Sequence, residues 1–234
     1  MAKTAKPTRK ELGKIDKCVS HFKENASKFE AFAKSLLVQI QASQSLMDEI
    51  HSLKYRVKDP AHLKDKLVRK VVNAKLSGDK FDLDPELLFQ QINDLAGVRI
   101  LHLHTMQVKP IHDGLTDLFD EQRYKLVEPP TANCWDVELG NLFKSFGIAP
   151  NARESMYTTI HYVLEANQRS KLTCEVQVRT LMDEVWGEVS HMINYPEPTT
   201  SQTCQDQLKV LARLTTGGTR LVDAIFGAHA RREK

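Results

Sequence analysis

The segment Cys174-Glu-Val-Gln-Val-Arg-Thr180 alternates with a period of two, and this alternation constrains the chain more than any other feature. A strand sends successive side chains to opposite faces, so Glu175, Gln177 and Arg179 share one face while Cys174, Val176 and Val178 share the other. Three polar groups aimed the same way from an apolar strand form either the floor of a site or the wet face of a half-exposed strand. Two further strands are expected, Thr158–Leu164 and the run Val98-Arg99-Ile100-Leu101. The linker Ala166-Asn167-Gln168-Arg169-Ser170 has hairpin composition and joins the last two strands. With helical periodicity on both sides of these strands, the chain reads as α+β (mixed α/β), a sheet of about five strands flanked by helices.

From Glu11 to about Ser52 the apolar residues recur at helical spacing, giving one or two helices with a break near Asn25 and Ser27 as a candidate cap. Asp59-Pro60 opens another helix, because aspartate caps it and proline suits a first turn. Ser77-Gly78-Asp79 ends that helix. Short helical stretches are expected over Pro85–Ile92 and 107–121, with a short strand from Tyr124 to Val127. Residues 128–156 hold three prolines and little periodicity, and are expected to form a long loop with at most a helical turn. A helix from Leu181 to Ile193 stops at Tyr195-Pro196, and Ser201 to Phe226 is helical with a weak spot at Gly217-Gly218. The organisation is therefore a flexible basic tail (1–10), an N-terminal helical segment (11–52), a central domain (53–195) and a C-terminal helical segment (196–234).

Composition removes several classes of function. Hydrophobic residues make up 41% and charged residues 27%, as in a globular domain rather than a disordered chain. The net charge of +3 is too small to argue for nucleic-acid binding. The cysteines Cys18, Cys134, Cys174 and Cys204 are scattered with no C-x-x-C pair, against a zinc site or a disulfide framework and in keeping with a reducing compartment. No apolar run is long enough to span a bilayer and no signal-like stretch follows the basic N-terminus, so a cytoplasmic protein without a membrane partner is expected.

Four segments carry chemistry. Arg56, Lys58, Lys66, Arg69 and Lys70 form a basic cluster, and the last three lie at spacings of three and four on one helical face. Such a face suits a triphosphate, and equally a solvated helix surface. Asp94-Leu-Ala-Gly-Val-Arg99 puts an acid at a strand entrance, where it suits Mg²⁺ bridging to substrate phosphates or a structural cap. Arg99 suits charge neutralisation on a transferring group. Glu175 is the natural second carboxylate if its strand neighbours that of Asp94. Tyr157-Thr-Thr-Ile-His161 places an aromatic ring at a loop–strand junction, where it can stack on a base or pack in the core.

These segments in this order, with DLAGVR, YTTIH and EVQVRT as the strongest motifs, resemble the synthetase domain of the RelA/SpoT family, the alarmone synthetases, over roughly residues 50–195. Trp186 and His191 fall where that family carries a W…H pair. The resemblance implies a small single-domain synthetase with a nucleotidyltransferase-like sheet. It further implies an ATP-dependent pyrophosphokinase that transfers the β,γ-diphosphate of ATP to the 3′-hydroxyl of GDP or GTP.

By position, the resemblance makes Arg56, Lys58, Lys66, Arg69, Lys70 and Arg99 ATP-binding, and Asp94 and Glu175 the Mg²⁺ ligands. It places Arg153, Tyr157, His161, Gln177 and Arg179 at the acceptor nucleotide, and assigns the catalytic roles to Asp94, Glu175 and Arg99. The rival acceptor is another nucleotide or the 3′ end of tRNA, and from a different class the chain reads as a catalytically silent nucleotide sensor. Several positions depart from the family pattern: His62 replaces a common serine, Met156 a glycine, and Glu184 an Asn or Asp. His112-Asp113, the one His-Asp dipeptide, lies in an expected helix, and no hydrolase domain fits into the first fifty residues. The flanking helices are candidates for homo-oligomer contacts or for packing within one chain.

Overall fold

A computed structural model describes residues 6–166 and 171–231; the linker 167–170 expected as a hairpin lies outside the described residues. Helix α1 (Arg9–Ala42) starts where Thr8 and Glu11 make a reciprocal capping box, so the helix begins inside the stretch expected as tail. It runs through Asn25 without a break, its buried stripe continuing from Phe22 to Phe29, and the Asn25 side-chain amide donates to the His21 carbonyl at 2.9 Å. Its stripe from Ile15 through Phe22, Phe29, Leu36 and Ile40 is fully buried, so α1 completes the core of its own chain.

The single turn α2 (Gln44–Met47) leads into β1 (Ser52–Val57), a strand the sequence reading did not anticipate. It is an edge strand with mostly exposed side chains, so neither alternation nor an apolar run marks it. α3 (Pro60–Ser77) is capped by Asp59 as expected and ended by Gly78 at φ 80°, the left-handed conformation glycine adopts freely. After a 3₁₀ turn and α4 (Leu88–Gln91) come β2 (Ala96–His102), α5 (Val108–Glu121) and β3 (Lys125–Leu126).

Residues 128–156 are not a long loop. They hold β4 (Thr131–Cys134), α6 (Val137–Ser145, capped by Asp136) and β5 (Ala149–Ala152). The strands are four residues each, and β5 is an exposed edge that tolerates Pro150, so no periodic signal of useful length exists. β6 (Thr159–Glu165), β7 (Thr173–Thr180), α7 (Leu181–Asn194) and α8 (Gln202–Ala230) complete the chain. α8 runs uninterrupted through Gly217-Gly218; a β-carbon at Gly218 would stand 3.3 Å from the Met182 side chain, so this glycine lets α8 approach α7.

The strands form one mixed sheet in the order β1-β2-β7-β6-β4-β5, with β3 paired to β6. It is wider than the expected five strands and of the expected mixed kind. β2 and β7 are parallel neighbours at its centre, flanked by antiparallel β1 and β6. One face, carrying Val98, Ile100, Val176 and Val178, packs into the core with α1 and α5. The other face carries the polar residues of β2 and β7 and is overlaid by α7.

Candidate active site

The sheet register lays the polar residues out in rows. Arg56 of β1 lies beside Gly97 of β2, which lies beside Glu175 of β7; one step further, Arg99, Gln177 and His161 align across β2, β7 and β6. A β-carbon at Gly97 would stand 3.1 Å from the Glu175 carbonyl oxygen and 3.6 Å from Arg56 Nε. Glycine there lets the Arg56 side chain cross its neighbour and bring Nη2 to 3.9 Å from Glu175 Oε2.

Asp94 sits two residues ahead of β2 and receives two ammonium groups, Lys58 Nζ at 3.0 Å and Lys66 Nζ at 2.6 Å. Burial opposes its charge, but the two lysines outweigh that cost and hold its carboxyl at about 2. Lys58 moves below the ordinary lysine range, because its own burial outweighs the pull of Asp94. Glu175 is also nearly buried. Burial again works against ionisation, and the His161 Nδ1 contact at 2.8 Å and the Gln177 Nε2 bond at 2.6 Å overcome it, leaving the carboxyl below its ordinary range. His161 Nε2 is buried without a partner.

Above this floor Arg99 Nη1 lies 2.6 Å from both Glu184 Oε1 and Glu188 Oε1 of α7. Arg179 also pairs with Glu184, and its guanidinium stands 5.8 Å over the Tyr157 ring. At the far rim His191 stacks on Tyr195 at 4.7 Å, His62 meets Tyr195 edge-on, and the Arg69 guanidinium covers the Tyr195 ring at 4.9 Å.

One cleft of about 510 Å³ gathers these groups; Arg56, Lys58, Lys66, Arg69, Asp94, Arg99, Tyr157, Gln177 and Arg179 line it, together with Trp186, Glu188 and Tyr195. Glu175 and His161 adjoin it through Gln177 and Arg56. Two candidates fall elsewhere. Lys70 projects over the Phe81 ring at 5.4 Å, and Arg153 donates from Nε to Asn133 Oδ1 at 2.7 Å beyond the end of β5. Sequence reasoning missed Glu188, Tyr195 and Gly187. The spacing of Glu184 and Glu188 by one helical turn was the available signal for an acidic pair facing an arginine.

The donor set fits a hard cation. Asp94 and Glu175 both lie below their ordinary carboxylate values and offer oxygen alone, with Lys58 and Lys66 on the Asp94 oxygens and His161 and Gln177 on those of Glu175. Among the described residues no cluster of three or more His, Cys, Asp or Glu side chains could hold a metal ion. The dipeptide His112-Asp113 lies in α5, where His112 bonds the Tyr162 hydroxyl at 2.9 Å and Asp113 pairs with Lys109.

The central parallel strands of a mixed sheet thus carry one cleft in which basic and acidic groups face each other. The region found in RelA/SpoT proteins matches residues 55–200, and the chain belongs to that family. Its fold is similar to that of small alarmone synthetase 1 from Bacillus subtilis, at 17% identity and TM-score 0.66 over 90% of this chain and 98% of the other. The same enzyme bound to its product pppGpp aligns at 17% identity and TM-score 0.65, covering 92% of this chain and 100% of the other. A GTP pyrophosphokinase family protein from Streptococcus pneumoniae aligns at 19% identity and TM-score 0.53, covering 95% and 93%. No curated protein sequence matches significantly. No helix among the described residues is long and apolar enough to cross a membrane.

Proposed function

We propose that the chain is an ATP-dependent pyrophosphokinase that passes the β,γ-diphosphate of ATP to the 3′-hydroxyl of a guanosine nucleotide, releasing AMP. The observation that carries this reading is the joining of a concentrated cationic wall to two carboxylates, Asp94 lining the cleft and Glu175 adjoining it beneath Arg56. Lys58, Lys66, Arg56 and Arg69 bind the triphosphate, and Arg99 neutralises charge on the transferring group. Asp94 and Glu175 would hold Mg²⁺, which supplies charge neutralisation across the phosphates. Tyr157 stacks on the acceptor base, and Gln177 and His161 hold the Glu175 carboxylate in place. The acceptor oxygen forms the new bond to the β-phosphorus as the bond from that phosphorus to the AMP oxygen breaks, and the hydroxyl proton leaves to solvent. Positioning and charge neutralisation supply most of the acceleration.

A mononucleotide acceptor is favoured over an RNA end by where the positive charge stops. Past Trp186 the cleft continues into a hollow of about 370 Å³ that carries Glu154 and one cation, Lys209. Lys209 is itself paired with Asp206 at 3.2 Å. A polynucleotide backbone needs a run of cations along its path, and this hollow offers none. The test is incubation with γ-labelled ATP and, separately, GDP, GTP, ATP and bulk tRNA. Label is expected on GDP or GTP and lost in Glu175→Ala. Label on tRNA alone would overturn the acceptor assignment, and bound ATP with label on no acceptor would favour a sensing module.

A further inference from the structure

The two carboxylates that face Arg99 are not equivalent. Glu184 is mostly buried and also neutralises Arg179, whose side chain is only 3% exposed and has no other carboxylate within 3.5 Å. Removing Glu184 would leave a buried guanidinium without its close counterion, a costly change. The Glu188 side chain is 54% exposed, makes one short contact, to Arg99 at 2.6 Å, and stands 3.9 Å from Arg179. It lies one helical turn beyond Glu184 on the cleft-lining side of α7. Two guanidiniums and two carboxylates sum to zero, so the cluster shows no net positive charge to an arriving polyanion. Rotating Glu188 into water breaks a pair that is open on the Glu188 side and 18% exposed at Arg99, and turns that zero into one positive charge on Arg99, which keeps Glu184 as its partner.

We propose that Glu188 is a built-in competitor for the donor's phosphate: it occupies Arg99 Nη1 from the cleft side, beside Glu184 on the same nitrogen, and a phosphate reaches that nitrogen only by displacing it. The inference rests on the reading of this cleft as the ATP site. It assigns Glu188 a role in setting affinity, so that donor binding is weaker than the cationic wall alone would make it. A purely structural role, in which Glu188 holds Arg99 in a productive pose, predicts the opposite sign.

The test is calorimetric titration of the full chain and of Glu188→Gln with ATP and Mg²⁺, and separately with inorganic tripolyphosphate, alongside thermal unfolding. Glu188→Gln should bind both probes about fivefold more tightly, and melt close to the wild type because Arg99 keeps Glu184 as its buried partner. Glu188→Asp keeps the charge but withdraws it by one methylene from Arg99, and should fall between the two. Wild-type binding with no gain in Glu188→Gln, or a loss, would overturn the competitor role and leave the ATP site standing. Failure of both proteins to bind ATP would remove the ATP site and the competitor role together.

Discussion

Gly187 of α7 lies against the Arg179 guanidinium so closely that a β-carbon on it would stand 2.6 Å from Nη1. Arg179 has little room to retreat, since its side chain is buried between Glu184 and the Tyr157 ring. In a helix interior alanine is favoured over glycine by about 1 kcal/mol, which offsets only part of the cost of pushing a buried, paired guanidinium aside. Gly187→Ala is therefore expected to lower folding stability despite the better helix former, while activity falls about tenfold through misplacement of a cleft residue. Denaturant unfolding and initial rates on the same preparation check this. Wild-type rates would show that Arg179 is not needed where it sits.

Lys66 and Lys70 are one helical turn apart and occupy different worlds. Lys66 reaches Asp94 at 2.6 Å in the cleft, whereas Lys70 lies over Phe81 outside it. Lys66→Met should weaken ATP binding at least tenfold, on the order of 1.4 kcal/mol, by removing a phosphate partner and one counterion of Asp94. Lys70→Met should leave the dissociation constant within about twofold. Titration of both variants with ATP decides the matter, and equal losses would mean that the whole basic face binds phosphate.

That contrast shows what was legible in the sequence. Spacing places Lys66, Arg69 and Lys70 on a common side of α3, yet a few tens of degrees around the helix decide which side chain meets Asp94, and only packing sets that angle. The floor was readable because alternation on β7 is unambiguous and β2 lies beside it in parallel register. β1, β4 and β5 were not: β1 and β5 are edge strands with many exposed side chains, and β4 is interior but only four residues long, too short to show a period. Arg153 was placed at the acceptor by its position in a motif, and its bond to Asn133 depends on strands the sequence did not reveal. α1 was read as helix, but its continuity through Asn25 is set by the buried stripe on both sides, Phe22 and Phe29, which packing holds in line.

Asp94 should leave a signature in the acid limb of the stability curve. Its carboxyl is lowered from 3.8 to about 2 in the fold, so the folded state binds its proton less tightly than the unfolded chain does. The stabilisation is fully present above about pH 4 and is lost as the pH falls through 2; it is worth roughly 2 kcal/mol, less whatever burial costs Lys58. Asp94→Asn should be less stable than wild type at neutral pH, with two ammonium groups deprived of their partner. It should also lack this loss between pH 4 and pH 2. Urea midpoints measured across that range for both proteins give the difference directly. Parallel curves would mean that Asp94 is not held in its charged form by the lysines.

Met156, immediately before Tyr157, has φ 57°, in the left-handed region that favours glycine. A side chain there costs roughly 1–2 kcal/mol against ordinary backbone. Comparing Met156→Gly with Met156→Ala separates that strain from the packing of the methionine itself, because both variants remove the side chain beyond Cβ and only one keeps the clash. Elsewhere in a folded chain glycine is usually the less stable of the two. At this position the order should invert, with Met156→Gly more stable than Met156→Ala by about 1 kcal/mol in urea unfolding. If Tyr157 stacks on the acceptor as proposed, Met156→Gly should also raise the acceptor KM, because the freed backbone no longer fixes the approach of Tyr157 to the cleft. Alanine as stable as glycine would mean that residue 156 is not held in the left-handed conformation, and the stiffness of the Tyr157 loop would then need another source.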